Sequence, residues 1–250
     1  MKQIIAFIGM VFLFIGCGKD VTNPAAPALN YSASEKGSQQ ASDDTTSSDI
    51  LSAAYPSGAI VIAAIGDSIT FGTGAGGGGY PLALERKLQA AGYNVIVNNE
   101  GVPGEISAET DERFLNAILN ADIALIMIGT NDVINHRGNY SSIAMIERLL
   151  DKTIISKTIV IEGTVPPAAT DADYAWANSQ IEWLNAEIAD AVAKRPSAYL
   201  VDIYNAIFAN GGNSLYVDRL HFNDAGYAVI ADQWYNCLIN NNILDKVKKK

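Results

Sequence analysis

Residues 59–70 read Ala59-Ile60-Val61-Ile62-Ala63-Ala64-Ile65-Gly66-Asp67-Ser68-Ile69-Thr70, an apolar run that ends in a polar turn. A short, continuous apolar run is typical of a strand buried on both faces of a parallel sheet. In an open α/β sheet, ligands bind beyond the carboxyl ends of the strands. Ser68 follows such an end and is therefore a candidate nucleophile, although serine is also a preferred N-cap of the helix after a strand.

Four further strand-like runs follow the first, and helical stretches separate them. The five runs cover 59–65, 94–98, 122–128, 157–162 and 198–203. Strands that alternate with helices predict an α/β fold with a parallel sheet covered on both faces. We expect Pro81 to begin the helix after the first strand, and Asp224 to cap the last helix, from Ala225 to about Leu238. Cys237 lies on the predicted apolar face of that last helix.

The first 17 residues have the pattern of a bacterial lipoprotein signal. Lys2 precedes the apolar stretch Ile4–Ile15, which is too short to span a bilayer, and Gly16-Cys17 follows it. The pattern predicts cleavage before Cys17, a lipid on its thiol, and a membrane anchor in the bacterial cell envelope, with the folded domain in the periplasm or on the cell surface. Because Phe14 stands where leucine is usual, a plain signal peptide or an uncleaved anchor remains the alternative.

Composition changes sharply after this segment. Residues 18–55 are rich in Ser, Thr, Ala, Gln and Asp and predict a disordered linker. The folded domain is predicted at 56–245, followed by a solvated basic tail at 246–250. The net charge of -10 and the pI near 4.6 argue against a nucleic-acid-binding surface. No protein partner is predicted.

A glycine-rich segment, residues 72–79, contains the spacing G-x-G-x-x-G. In a dinucleotide-binding fold the first glycine of this motif forms the turn at the strand end. Here the residues 66–71 separate the strand from Gly72, and no Gly-Lys-Ser/Thr follows. The segment is therefore interpreted as a flexible lip beside Ser68 rather than as a phosphate site.

Two histidines are candidates for a general base. His136 lies in a polar loop with no carboxylate nearby in sequence, and we interpret it as a surface residue. His221 follows Asp218 by three residues, a separation that lets a carboxylate approach the imidazole. A serine hydrolase requires such a base and its acidic partner.

Acyl transfer also requires hydrogen-bond donors for the oxyanion. The loop 98–104 follows the second strand and brings the backbone amide of Gly101; the loop 129–132 follows the third strand and brings the carboxamide of Asn131. Each residue alone is a common turn former. Together with Ser68 and His221, they indicate one catalytic site.

These four blocks resemble those of the SGNH (GDSL-type) serine esterase family. They are Gly66-Asp67-Ser68-Ile69-Thr70, Asn99-Glu100-Gly101-Val102-Pro103-Gly104, Gly129-Thr130-Asn131-Asp132 and Asp218-Arg219-Leu220-His221. The resemblance runs from about residue 60 to residue 238. It implies a three-layer α/β/α fold of the flavodoxin-like type with a five-stranded parallel sheet. Two departures from the family pattern are Ile69 in place of leucine and Phe222 where proline is common.

The resemblance also implies roles for the residues. Ser68 is the nucleophile, His221 the general base and Asp218 its partner. The oxyanion donors are the amides of Ser68 and Gly101 and the side chain of Asn131. No metal and no organic cofactor are implied.

We expect a serine carboxylic ester hydrolase that cleaves small or short-chain acyl esters through an acyl-enzyme. The sequence leaves the substrate open between a small-molecule ester and a carbohydrate ester. The alternatives are a carbohydrate O-acetyl esterase, a lysophospholipase or thioesterase, and a non-catalytic glycan-binding surface lipoprotein. Tyr174 and Trp176 belong either to the wall of the pocket or to the packing of the domain.

Overall fold

The computed structural model describes residues 57–247. The predicted signal segment with Cys17, the predicted linker and residues 248–250 of the basic tail lie outside the described residues. The first lysine of that tail, Lys246, lies in a short terminal helix and donates a hydrogen bond to the hydroxyl of Tyr199 at 2.5 Å.

The described chain forms one parallel sheet of five strands. The strands are β1 (Ile60–Gly66), β2 (Val95–Gly101), β3 (Ile123–Met127), β4 (Ile159–Gly163) and β5 (Ala198–Val201). Their order is β2-β1-β3-β4-β5, and every neighbouring pair is parallel. In this order the direction of the connections reverses between β1 and β3, which is where flavodoxin-like sheets bind ligands. The predicted fold class is confirmed.

Helices follow the strands and cover both faces of the sheet. They are α1 (Ser68–Phe71), α2 (Gly79–Ala90), α3 (Ser107–Ala117), α4 (Thr130–Ile134), α5 (Asn139–Ser156), α6 (Asn178–Ala193), α7 (Ile203–Ala209), α8 (Asp224–Asn240) and α9 (Ile243–Val247). Two 3₁₀ turns, Ala175–Ala177 and Gly212–Leu215, precede α6 and α8. No helix among residues 57–247 has the length and apolar character needed to cross a membrane.

Two hydrophobic clusters lie on opposite faces of the sheet. On one face, Ile62 of β1 and Leu125 of β3 pack with α2 and α8, which contribute the fully buried Leu84 and Trp234. On the other face, Ile65 of β1 packs with helices α3, α5 and α6. Successive side chains of a strand point to opposite faces, so an apolar strand covered by helices on both sides supplies both clusters.

Two predicted helix starts are wrong by one or two residues. Helix α2 begins at Gly79, so Pro81 is its third residue rather than its first. Helix α8 is capped by Asn223, whose side chain accepts hydrogen bonds from the amides of Ala225 and Gly226. Asp224 does not cap this helix because its carboxylate accepts a hydrogen bond from the amide of Gly77, 3.1 Å away.

Candidate active site

Three side chains form a hydrogen-bonded chain beyond the carboxyl end of β1. The Oγ of Ser68 lies 2.8 Å from Nε2 of His221, and Nδ1 of His221 lies 2.8 Å from Oδ2 of Asp218. The structure thus brings Ser68 together with Asp218 and His221, which lie at least 150 positions further along the chain and share one short loop. This geometry is that of a nucleophile, a base and the residue that orients the base.

The turn after β1 presents Ser68 as the first residue of α1. The N-cap is Asp67, whose carboxylate accepts a hydrogen bond from the amide of Ile69 at 2.9 Å. Ser68 therefore does not serve as the cap, and its hydroxyl is left for His221. Because the first amides of a helix have no acceptor within it, the N–H of Ser68 is also left for a ligand.

His221 and Asp218 lie on a narrow loop closed by backbone pairing. Tyr216 and Phe222 form an antiparallel bridge, and the amide of Val217 donates to the carbonyl of His221 at 2.9 Å. Oδ1 of Asp218 accepts hydrogen bonds from the amides of Leu220 and His221 at 2.8 and 2.7 Å. Partial burial acts to raise the pKa of Asp218, but these amides and the imidazole of His221 outweigh it and hold the pKa below its ordinary value. Asp218 is therefore a carboxylate when it faces His221.

Ser68 and His221 are each followed by a core residue. Ile69 follows Ser68, Phe222 follows His221, and both are buried in the same hydrophobic cluster. Phe222 contacts the ring of Tyr227 edge to face, with centroids 5.8 Å apart. Phe222 stands where proline is common in the SGNH family. Its burial in the core helps to fix the position of His221, the residue before it.

Asn131 reaches the site from α4, after β3. Its Nδ2 donates to the carbonyl of Glu105 at 2.9 Å and lies 3.4 Å from Oδ2 of Asp67. Asp67 is almost completely buried, and this burial raises its pKa to about 7, although the amide of Ile69 acts in the opposite direction. One N–H of Asn131 is therefore fixed by Glu105, while the second makes only the longer contact with Asp67 and can turn to a ligand beside Ser68.

Gly101, an expected oxyanion donor, is not among the residues that line the cleft. Its amide donates to Oδ1 of Asn99 at 3.0 Å, and a Cβ at Gly101 would lie 2.2 Å from the backbone nitrogen of Phe71. Gly101 is thus packed behind α1, where β2 passes close to it. Its absence of a side chain permits this contact, and its amide does not face the cleft.

Gly104 lies in the cleft instead. The amide of Glu105 donates to the carbonyl of Val102 at 3.1 Å, and Gly104 has a φ of 84°. With Pro103 before it, Gly104 occupies the third position of a type II turn, which requires a positive φ. The signal for this turn, Pro-Gly four residues after Asn99, was present in the sequence.

Two buried carboxylates, those of Glu105 and Asp132, hold the loop after β2 in place through hydrogen bonds. The carboxylate of Glu105 accepts hydrogen bonds from Arg113 at 2.6 Å and from Thr110 at 2.8 Å. Asp132 accepts from the amide and the hydroxyl of Ser107, at 2.9 and 2.6 Å, and so joins α4 to the start of α3. Sequence reasoning did not find these supports, because they pair residues of separate loops.

The side chains enclose a cleft of about 320 Å³. The lining residues are Ser68, Ile69, Thr73, Pro103, Gly104, Thr130, Asn131, Ile134, Leu220 and His221. The glycine-rich segment borders it at Thr73, whose carbonyl accepts a hydrogen bond from the hydroxyl of Tyr227 at 2.7 Å. Within residues 57–247 no group of three or more His, Cys, Asp or Glu side chains is placed to hold a metal ion. Cys237 is partly buried against the core.

Comparison with protein families identifies the chain. Residues 64–229 match the model of the GDSL-like lipase/acylhydrolase family, and this range covers more than half of the chain. The chain belongs to this family. This GDSL-like protein is accordingly a hydrolase of ester bonds.

Solved structures share the fold of this GDSL-like protein. The family 3 carbohydrate esterase of Clostridium thermocellum has 23% identity and a TM-score of 0.60, over 76% of this chain and 99% of that one. The family 3 carbohydrate esterase of Talaromyces cellulolyticus has 21% identity and a TM-score of 0.61, over 76% and 99%. The acetylxylan esterase Axe2 of Geobacillus stearothermophilus has 21% identity and a TM-score of 0.63, over 73% and 94%. No curated protein sequence matches the GDSL-like chain.

Proposed function

We propose that this protein is a serine esterase that removes short acyl groups, above all acetyl, from carbohydrates. The observation that carries the proposal is the chain Ser68–His221–Asp218 at a cleft of about 320 Å³. This volume is at the lower end of the range for ligand pockets and suits a small acyl group. The carbohydrate as the alcohol is supported by the names of structural neighbours, which include a family 3 carbohydrate esterase and an acetylxylan esterase.

The reaction proceeds in two steps. Oγ of Ser68 bonds to the ester carbonyl carbon while its proton passes to Nε2 of His221. The oxyanion is stabilised by the N–H groups of Ser68 and Gly104 and by Nδ2 of Asn131. The carbon–oxygen bond to the sugar then breaks, and the sugar oxygen takes the proton from His221. Water, deprotonated by His221, then attacks the acyl carbon; the bond from this carbon to Oγ of Ser68 breaks, Oγ takes the proton back from His221, and acetate leaves.

Substrate comparison tests this proposal. We expect the protein to release acetate from acetylated xylan and to cleave p-nitrophenyl acetate, and to act poorly on a lysophospholipid and on an acyl thioester. S68A should lose hydrolysis and labelling by a fluorophosphonate, whereas S156A, an exposed serine on α5, should keep both. Preference for the lysophospholipid or the thioester would contradict the carbohydrate assignment. Saturable glycan binding by a wild type that shows neither turnover nor labelling would favour the non-catalytic alternative.

We also propose that a lipid on Cys17 anchors the esterase in the bacterial cell envelope. The support is the sequence pattern of residues 1–17 alone. Metabolic labelling with an alkyne fatty acid, followed by membrane fractionation, tests it. Label and membrane association should both disappear in C17S. If the wild type carries no label and C17S stays as firmly associated with the membrane as the wild type, the segment is an uncleaved anchor instead.

A further inference from the structure

A second pocket, of about 390 Å³, lies outside the catalytic cleft. It is lined by His136, Gly138, Tyr140, Gln180 and Trp183, from the loop after α4, the start of α5 and the first turns of α6. We call it the aromatic pocket. From sequence alone, His136 is interpreted as a surface residue and this set is not singled out.

Two pairs of aromatic rings border the aromatic pocket. Trp176 stacks on His136, with centroids 4.9 Å apart and an angle of 15°, and Tyr140 meets Trp183 edge to face at 5.0 Å. Tyr140 is 81% exposed and Trp176 is 40% exposed. Removing large aromatic side chains from water lowers the free energy. A contiguous exposed group of them therefore indicates a binding surface.

The chemistry of the lining selects the type of ligand. None of the five lining residues is Asp, Glu, Lys or Arg, so the walls offer no fixed countercharge to a phosphate or to a charged peptide. None is Leu, Ile, Val, Met or Phe, so an acyl chain would lack aliphatic contacts. A neutral sugar fits both conditions, since its C–H face packs on the negative face of an aromatic ring and its hydroxyls bond to amide, phenol and imidazole groups.

Two short stretches of chain connect residues of the catalytic cleft with residues of the aromatic pocket. Ile134 lines the cleft, and His136 lies two residues further, at most about 7 Å away between Cα atoms. On the other side, Leu220 of the cleft neighbours Arg219, whose guanidinium lies 5.2 Å from the ring centre of Tyr174. Tyr174 precedes Trp176 by two residues. A ligand that spans both sites therefore needs only a short reach.

We propose that the aromatic pocket binds sugar rings of the glycan whose acetyl group reacts at Ser68. This inference rests on the proposed function and adds a subsite for the neutral glycan chain. The pocket contributes to affinity for chains long enough to reach it. It contributes nothing to the hydrolysis of a small ester that occupies the cleft alone.

Kinetics on two substrates tests the subsite. In Y140A and in W176A, kcat/KM on acetylated xylo-oligosaccharides should fall about tenfold, mainly through KM, because loss of one stacking contact is worth that much. Hydrolysis of p-nitrophenyl acetate should stay within about twofold of wild type. F208A removes an exposed aromatic side chain of α7 outside both pockets and serves as the control. Equal losses on both substrates, or no loss on the oligosaccharide, would overturn the inference.

Binding to S68A separates this inference from the proposed function. Two of the three tryptophans, Trp176 and Trp183, lie at the aromatic pocket, so intrinsic fluorescence reports its occupancy. Titration of S68A with unacetylated xylohexaose should give a saturable change in fluorescence. The affinity should be at least about fivefold weaker in S68A/Y140A, which keeps all three tryptophans. A wild type that cleaves p-nitrophenyl acetate but not acetylated xylan refutes the carbohydrate assignment alone. Absence of saturable binding to S68A refutes the subsite.

Discussion

Asn131 donates a hydrogen bond to the carbonyl of Glu105, 2.9 Å away, and so links the loops that follow β3 and β2. These strands are separated in the sheet by β1, and Ser68 follows β1 at the start of α1. One carboxamide thus faces the cleft and also fixes the turn that holds Gly104. Asn131 therefore has a chemical and a structural role that can be measured separately.

N131A should lower kcat by about 10²–10³, the usual loss for one oxyanion donor. It should also cost about 1–2 kcal/mol of stability, because the Glu105 carbonyl loses its donor. The matched control is N185A, since Asn185 is a buried asparagine that bonds both the amide and the carbonyl of Val165. Steady-state kinetics and urea unfolding of both variants should show similar stability losses and a kcat loss only in N131A. Comparable kcat losses would contradict the assignment.

Gly101 and Gly104 should respond differently to alanine. G101A should lose about 3 kcal/mol or more of unfolding free energy, since its Cβ meets backbone atoms of Phe71 that cannot move aside. G104A should lose about 1–2 kcal/mol, because open space surrounds the Cβ and only the positive φ is unfavourable. Urea denaturation measures both. A larger loss in G104A would show that Gly104 is the more tightly packed of the two.

Replacing Asp218 by asparagine should reduce kcat/KM by about 10²–10⁴ while leaving the fold intact. The asparagine oxygen can still accept the amides of Leu220 and His221, but the carboxamide no longer favours the imidazole tautomer that can deprotonate Ser68. D202N is the control, since Asp202 caps α7 in a comparable way outside the cleft. Kinetics with p-nitrophenyl acetate will show the difference. An unaffected D218N would mean that His221 is oriented by its backbone alone.

Asp67 should make stability fall as the pH rises. Burial raises its pKa to about 7 from an unfolded value of 3.8, so the native state favours the protonated form. The stabilisation from this group is complete below about pH 4 and is lost by about pH 7, a change of about 4 kcal/mol. D67N should flatten this part of the stability profile, whereas D173N, at an exposed site, should not. A slope that D67N leaves unchanged would exclude Asp67 as its source.

Glu162 is a buried carboxyl on β4, and neither of its oxygens has a hydrogen-bond partner among the described residues. Burial raises its pKa well above the ordinary value, so its contribution to stability falls as the pH rises from about 4.5. E162M should raise the unfolding free energy by about 1–3 kcal/mol, since an apolar side chain leaves no unsatisfied polar atom. The gain should be larger at about pH 8 than at about pH 5. Destabilisation at both pH values would point to an unseen partner of Glu162.

The strands could be predicted from sequence because their apolar runs are continuous and need no knowledge of distant residues. All five were located within a few residues. The serine, histidine and aspartate meet as expected, since Ser68 follows β1 and Asp218 and His221 lie three residues apart in the loop before α8. These features depend on order along the chain alone.

The helix starts and the positions of Gly101 and Gly104 depend on contacts between separate segments. Asn223 and Asp224 are equally good cap residues by type. Asn223 is the cap because the carboxylate of Asp224 accepts a hydrogen bond from the amide of Gly77. Gly101 and Gly104 both follow Asn99 at short spacing, and the approach of β2 to α1 decides which amide faces the cleft. No local pattern contains that information.

The positions of Ile69 and Phe222 have a practical meaning. Ser68 and His221 are each joined by one peptide bond to a residue whose side chain lies in the same apolar cluster. We expect loosening of that cluster, by heat, denaturant or a cavity, to separate Ser68 from His221. Ester turnover should consequently depend on intact packing of this cluster. Thermal inactivation should follow the loss of tertiary structure on the sheet face that α2 and α8 cover.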